Sequence, residues 1–303
     1  LCALFLLFAG CAQKNYDFIS KNPNIKESKR IALTLFKQSD YHCGPSAIAT
    51  ILSNQKVEYS YDDIARKTFT PELKGTLQSE MKAVLRSYGV IPYELKGGIG
   101  AILAEASNDT PSIVLLNLGL KTVPVWHYTV ITGFDKKEQK IYLSSPDGKE
   151  TWMYFDEFES FLDKSGNWVI AALKPPLLPI SADEDSILNA ILDMYDVGEK
   201  ESAKQAAIAY LSKKPSSYFG IITLANIYFS ENDFKNAVFM YKEALKSNQK
   251  DAAALNNLAL SLLRQNRPKE AVVYAKEAVK IGGKFLKKYQ NTLLEIEEVL
   301  KEK

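Results

Sequence analysis

Two domains of different class are predicted, an α+β domain over residues 31–174 and an all-α repeat solenoid over 186–303. Three observations predict them. Helix-period segments give way to β-rich runs in the first half, prolines at 175, 176 and 179 interrupt the chain, and a 34-residue pattern recurs beyond them. A chain of 303 residues has room for both, and 46% hydrophobic with 24% charged residues is the composition of a folded protein.

The N-terminus reads as an address. Residues 1–10, LCALFLLFAG, are apolar and precede Cys11. A run of about ten residues is too short to span a bilayer, which takes roughly 20 helical residues; it fits the apolar core of a secretion signal. Phe8-Ala9-Gly10-Cys11 resembles the lipobox of bacterial lipoproteins. That resemblance implies a signal peptide over 1–11, lipidation of Cys11 and a membrane anchor. Ala12 after the cysteine implies the outer membrane, facing the periplasm. Residues 12–30 are polar and are expected to be a flexible tether.

From Ile31 the elements are read in order. Ile31–Phe36 suits a strand, and Pro45–Ser53 a helix with proline in its first turn. Tyr61–Thr68 and Leu77–Tyr88 are amphipathic helix segments. Gly97-Gly98-Ile99-Gly100 lacks the strand–glycine–helix context of a phosphate-binding turn and is read as a loop. Ser112–Leu118, His127–Gly133, Lys140–Ser145 and Trp168–Leu173 are β-rich, the middle two joined as a hairpin by DKKEQ. Residues 175–185 are the proline-rich linker.

Beyond the linker, blocks 184–217, 218–251 and 252–285 align. Ile187, Ile221 and Leu255 are equivalent, as are Ala203, Ala237 and Ala271; small alanines allow two helices to approach closely. The period and pattern resemble the tetratricopeptide repeat, with 286–303 as a polar-faced capping helix. That resemblance implies a protein partner held on the concave face.

The chemistry is carried by Gln38-Ser-Asp-Tyr-His-Cys43-Gly-Pro. Three cysteines, with two in the leader, exclude a disulfide framework, so Cys43 is the sole thiol of the mature domains. A thiol attacks as thiolate, and a helix N-terminus favours that charge. Gln38 is near enough in sequence to donate into an oxyanion hole. A base is required, and the chain has two histidines. His42 adjoins Cys43, and neighbouring side chains leave the backbone in different directions, which points to His127.

Gln38, Cys43-Gly44-Pro45 and His127-Tyr-Thr-Val-Ile-Thr-Gly133 resemble the papain-like bacteriocin-leader cysteine peptidases, over about 31–174. The resemblance implies a papain-like fold and amide hydrolysis through a thioester. It also implies a third residue, an Asp, to orient the histidine. The run here is Ser144-Ser145-Pro146-Asp147, so that residue is Asp147 or Ser145, or is missing from this chain. The expected function is therefore a membrane-anchored cysteine peptidase acting on a peptide or protein substrate. The rival is a peptide-binding scaffold that clamps without cutting. No cofactor or metal is expected, since no His/Cys cluster or phosphate-binding loop is present. Nucleic acid is not an expected partner, because 38 basic against 36 acidic residues leave a net charge of only +2.

Overall fold

The structure is a computed structural model that describes residues 16–39 and 41–302; Cys2, Cys11 and the apolar run around them lie outside those residues. The chain divides into two compact units, one built mainly from residues up to 172 with 179–183, the other mainly from 184 onward.

Up to the proline-rich segment the helices are α1 (Asp17–Ser20), α2 (Cys43–Asn54), α3 (Tyr61–Thr68), α4 (Gln78–Ser87), α5 (Gly98–Ser107) and α6 (Phe155–Lys164). The strands are β1 (Ser28–Arg30), β2 (Ile91–Glu94), β3 (Ser112–Asn117), β4 (Trp126–Asp135), β5 (Lys140–Ser144), β6 (Glu150–Tyr154) and β7 (Val169–Leu173). The sheet order is β2-β7-β3-β4-β5-β6, with β1 paired to β4. The expected hairpin is β4–β5, antiparallel with Phe134 opposite Ile141. Helices followed by an antiparallel sheet make this the α+β domain that the patterning predicts.

Three local expectations are corrected. The tether over 12–30 is folded from residue 16 onward: Ile19 and Ile25 are buried, and Lys29 pairs opposite Phe134. Two isoleucines in a polar stretch supply the burial that average composition conceals. Ile31–Phe36 is not a strand. The strand is β1, just before it; after Ile31 donates its N–H to the Thr132 carbonyl at 2.7 Å, the chain leaves the ladder. The GGIG loop is the start of α5, because the following Ala101–Ala106 run is strongly helix-forming and Ile99, Ile102 and Leu103 are buried.

One core of this unit joins α5 and α6 to the sheet through Ile102, Leu103, Phe155, Phe158, Val114, Leu116, Phe134 and Ile141. The linker is corrected too. Glu105 of α5 is fully buried, and its Oε1 accepts the N–H groups of Ile180 and Ser181, both at 2.8 Å, and the Ser181 hydroxyl at 2.6 Å. Residues 179–183 therefore belong to the first unit rather than to a free connection. Burial pushes the Glu105 carboxyl above its ordinary pKa, partly offset by those donors.

The second unit holds α7 (Glu184–Asp196), α8 (Lys200–Lys213), α9 (Tyr218–Ser230), α10 (Phe234–Ser247), α11 (Ala252–Arg264), α12 (Pro268–Ile281) and α13 (Leu286–Lys301). Three helix pairs fall within the three blocks, and α13 follows as the last helix. Ser217, Asp233 and Asp251 each cap the helix that follows by accepting a backbone N–H, and Pro268 opens α12 where no donor is missed. Ala203, Ala237, Ala271 and Ala275 are buried in their pairs. Leu258 and Leu262 join Tyr241 and Ile296 in one core cluster. Among the described residues, no helix is long and apolar enough to cross a membrane.

Candidate active site

A cleft of about 1070 Å³ in the first unit is lined by Gln38, Cys43 and His127, with Thr76, Tyr128 and Pro146 among its other walls. Three of the residues singled out in the sequence thus meet in one place. They arrive from a loop, a helix start and a strand start.

Cys43 is the first residue of α2, two residues earlier than the expected helix start. Gly44 follows because nothing larger fits: a Cβ there would lie 2.7 Å from Thr76 Oγ1. Ser46 N–H bonds to the His42 carbonyl at 3.1 Å and starts the helix, and Pro45 occupies a position whose N–H has no helical partner. His42 is turned away, its Nδ1 paired with the Ser39 hydroxyl at 2.8 Å.

The sulfur lies against β4. The backbone N–H groups of Tyr128, Gly44 and Cys43 itself face it. Strand register explains why the first of these is available. Leu115 lies opposite Tyr128, and Leu118 donates to Val125 and Leu120 to Val123. The bonded positions of β4 toward β3 are therefore the odd-numbered ones, and the Tyr128 N–H points the other way, toward β5. But β5 registers with β4 only over Ile131–Asp135. Cys43 sulfur thus sits where a longer β5 would have placed a carbonyl.

β5 stops at Ser144 because residues 145–149 close on themselves. Ser145 N–H bonds to Lys149 O at 2.8 Å and Gly148 N–H to Ser145 O at 3.0 Å, with Gly148 at φ +79°. Asp147 accepts the Ser145 hydroxyl and, at 3.2 Å, the Lys149 N–H. These contacts, led by the Ser145 hydroxyl, hold its carboxyl below the usual range. Neither Ser145 nor Asp147 lines the cleft or bonds to His127. The third position is occupied by a turn that satisfies itself. Gln38 is tied to the same turn through its N–H on the Pro146 carbonyl at 2.8 Å.

Burial lowers the His127 pKa and raises that of Cys43. Each shift favours the uncharged form, and the backbone N–H groups at the sulfur partly offset that of Cys43. No hydrogen bond joins the sulfur to the ring among the described contacts. Tyr128 donates its hydroxyl to the Thr76 carbonyl at 3.2 Å, linking the histidine strand to the residue that packs on Gly44. Thr76 is invisible in the sequence, since nothing local marks it; Tyr128 is marked there only as the neighbour of His127. Among the described residues, no group of three His, Cys, Asp or Glu side chains could hold a metal ion.

Residues 34–164 match the model of the Peptidase C39 family, and residues 221–251 and 252–284 match tetratricopeptide-repeat models. No curated protein matches significantly. Among solved structures, the peptidase domain of Streptococcus ComA, a bi-functional ABC transporter, aligns at 19% identity and TM-score 0.37, covering 46% of this chain and 98% of that one. The Yersinia enterocolitica type III secretion translocator chaperone SycD aligns at 16% identity and TM-score 0.37, covering 39% of this chain and 86% of that one. YrrB, titled a TPR protein with an unusual peptide-binding site, aligns at 21% identity and TM-score 0.34, covering 37% of this chain and 57% of that one. The chain carries a Peptidase C39 family domain followed by tetratricopeptide repeats.

Proposed function

We propose that the first unit is a cysteine peptidase that hydrolyses a peptide bond through a Cys43 thioester. What carries the reading is the meeting of Cys43, His127 and Gln38 in one cleft, with the sulfur against the histidine strand. The lowered His127 pKa keeps its ring free to accept a proton. His127 takes the Cys43 proton as the sulfur attacks the substrate carbonyl carbon. The Gln38 side-chain amide and the Cys43 N–H donate to the resulting oxyanion. Collapse breaks the C–N bond, and the proton on His127 goes to the departing amine. Water then gives a proton to His127, attacks the thioester, and regenerates the thiol.

Incubation with a mixed peptide library, read by mass spectrometry, tests this. Cleavage by the parent protein and none by Cys43→Ala or His127→Ala is the expected result; equal cleavage by all three would end it. Products carrying an added amine in place of water would identify acyl transfer at the same residues.

A second reading, a peptide clamp without hydrolysis, is favoured by one observation: the Asp147 carboxylate is engaged by its own turn rather than by His127. Peptide binding without products would select it.

The repeats serve as a protein-binding surface, and the apolar run before Cys11 supports a lipid anchor in the cell envelope, on the periplasmic side of the outer membrane. Metabolic labelling with a fatty acid, lost in Cys11→Ser, tests the anchor. Capture from envelope extract on Cys43→Ala protein, compared with the same chain ended before residue 184, assigns partners to the repeats.

A further inference from the structure

β6 is the last strand in the sheet order and pairs with β5 on one side. Its other side is open. Four of its five residues are exposed, Trp152 at 46% and Tyr154 at 49%, whereas Ile91 and Tyr93 of β2, at the opposite end of the sheet, are buried. The hydrogen bonds fix which groups face outward. Phe155 N–H bonds to the Gln139 carbonyl and Ser145 N–H to that of Lys149, both at 2.8 Å, and the β5–β6 register runs unbroken between them. Bonded positions alternate along an antiparallel pair. Thr151 and Met153 therefore bond toward β5, and the N–H and C=O groups of Glu150, Trp152 and Tyr154 point out of the sheet. Folded proteins protect such an edge with proline, a bulge or an edge charge. The run Thr151-Trp-Met-Tyr154 has none of these. Glu150 is turned back, accepting Arg30 Nε at 3.1 Å and the Thr132 hydroxyl at 2.6 Å.

The outward residues also share a face. Ile141, Leu143 and Met153 belong to the core, so the opposite face carries Tyr142, Trp152 and Tyr154. The Trp152 and Tyr154 rings meet edge to face at 5.2 Å, Lys140 Nζ lies 4.3 Å from the Trp152 ring centre, and the Arg30 guanidinium lies over Tyr142. Rings held this way need little ordering on binding. An unpaired row of backbone donors and acceptors is matched by another extended chain, and this edge matches itself. About a two-fold axis at Trp152, Glu150 meets Tyr154 of the second copy, Trp152 meets Trp152, and Tyr154 meets Glu150. Every outward group then finds a partner, aromatic side chains oppose one another, and no like charges do. A slip of two residues leaves one of the three unpaired. The symmetric pairing consumes the edge of both copies, so assembly closes at two.

We infer that β6 pairs antiparallel with β6 of a second copy of this chain, about a two-fold axis at Trp152, joining two sheets into one. The pairing needs no turnover and stands apart from the peptidase reading. A short edge makes a small interface and a concentration-dependent dimer, so sedimentation velocity between about 1 and 100 μM should show monomer giving way to dimer. Trp152→Lys sets two cations opposite each other and should leave the monomer. Tyr154→Pro removes an outward N–H at a residue whose φ is already −72°, and should weaken the dimer about tenfold or more. Melting curves matching the parent will show both variants folded. On oxidation, Trp152→Cys should form a 152–152 disulfide, mapped by mass spectrometry, at least about tenfold faster than Thr151→Cys forms a 151–151 one. Opposed bonded residues lie about 5.5 Å apart at Cα, within a disulfide's reach, while Thr151 would face Met153. A parent that stays monomeric, a dimer kept by both folded variants, or cross-linking no faster at 152 than at 151 would overturn the inference. A monomer whose edge takes up phosphatidylcholine vesicles or a labelled Thr-Trp-Met-Tyr peptide, in a manner lost in Trp152→Lys, would overturn it too and assign β6 to that occupant.

Discussion

The repeat unit and the cleft of the first unit are built on opposite principles. In the repeats, a helix packs on its neighbours in sequence, and Ala237, Ala271 and Ala275 are buried where the 34-residue period places them. In the cleft, residues 38, 43, 76, 127 and 128 meet across large separations in the chain. Repetition makes packing local and predictable; a chemical site needs contacts that no local pattern encodes. Damage should therefore spread along neighbours in one unit and remain a matter of chemistry in the other.

The sharpest way to break this contrast is His127→Ala. Removal of a general base typically costs about 10²–10⁴-fold, so kcat/KM in a peptide assay should fall by roughly that factor while thermal unfolding changes little. In the parent, the acid limb of the pH profile should lie below the ordinary histidine value of about 6.5, because burial lowers the His127 pKa. An acid limb above that value would mean that the ring rests as imidazolium, paired with thiolate.

In the repeats, Leu262→Ala removes a fully buried side chain from the cluster that includes Leu258 and Tyr241. It should cost about 2–5 kcal/mol of repeat stability, read by denaturant unfolding, and leave Cys43 alkylation unchanged. A changed alkylation rate would show the two units to be coupled.

Glu105 is a smaller and more discriminating case. Its folded pKa is raised, so the folded state binds the proton more tightly than the unfolded one. Its contribution is complete below the unfolded value of about 4.3 and is lost as pH rises through the folded value. Glu105→Gln keeps an acceptor for Ile180 and Ser181 without the charge. It should flatten the dependence of Tm on pH above about 4.3, with a change within about 1 kcal/mol at the acid end. A slope unchanged from the parent would exclude this carboxyl as its source.

Asp147→Asn should matter least. The side chain serves its own turn, so kcat/KM should drop by less than about threefold, within the usual effect of an exposed substitution. A loss comparable with that of His127→Ala would show that the turn opens and delivers the carboxylate to the ring when substrate binds.

Legibility from sequence varies along the chain for physical reasons. Cys43 and His127 can be named because their chemistry is scarce, one thiol beyond residue 11 and two histidines leaving few combinations, and Gln38 because it stands five residues before that thiol. Their third partner cannot be named, because Ser145 and Asp147 both stand in the right stretch and only the closure of the 145–149 turn shows where each points. Residues 16–30 read as a tether because average polarity hides two isoleucines, and the α5 start reads as a loop because glycines outweigh the alanine run behind them.

By itself the sequence determined the two-domain division, the repeat period and the choice of Cys43 and His127 as the side chains proposed to act, because periodicity and rare side chains are local properties. Tertiary structure alone decided that β5 ends short of Tyr128, that sulfur fills the gap, and that Thr76 backs Gly44. Those outcomes depend on strand register and close packing between distant segments, and neither is written in any short stretch of residues.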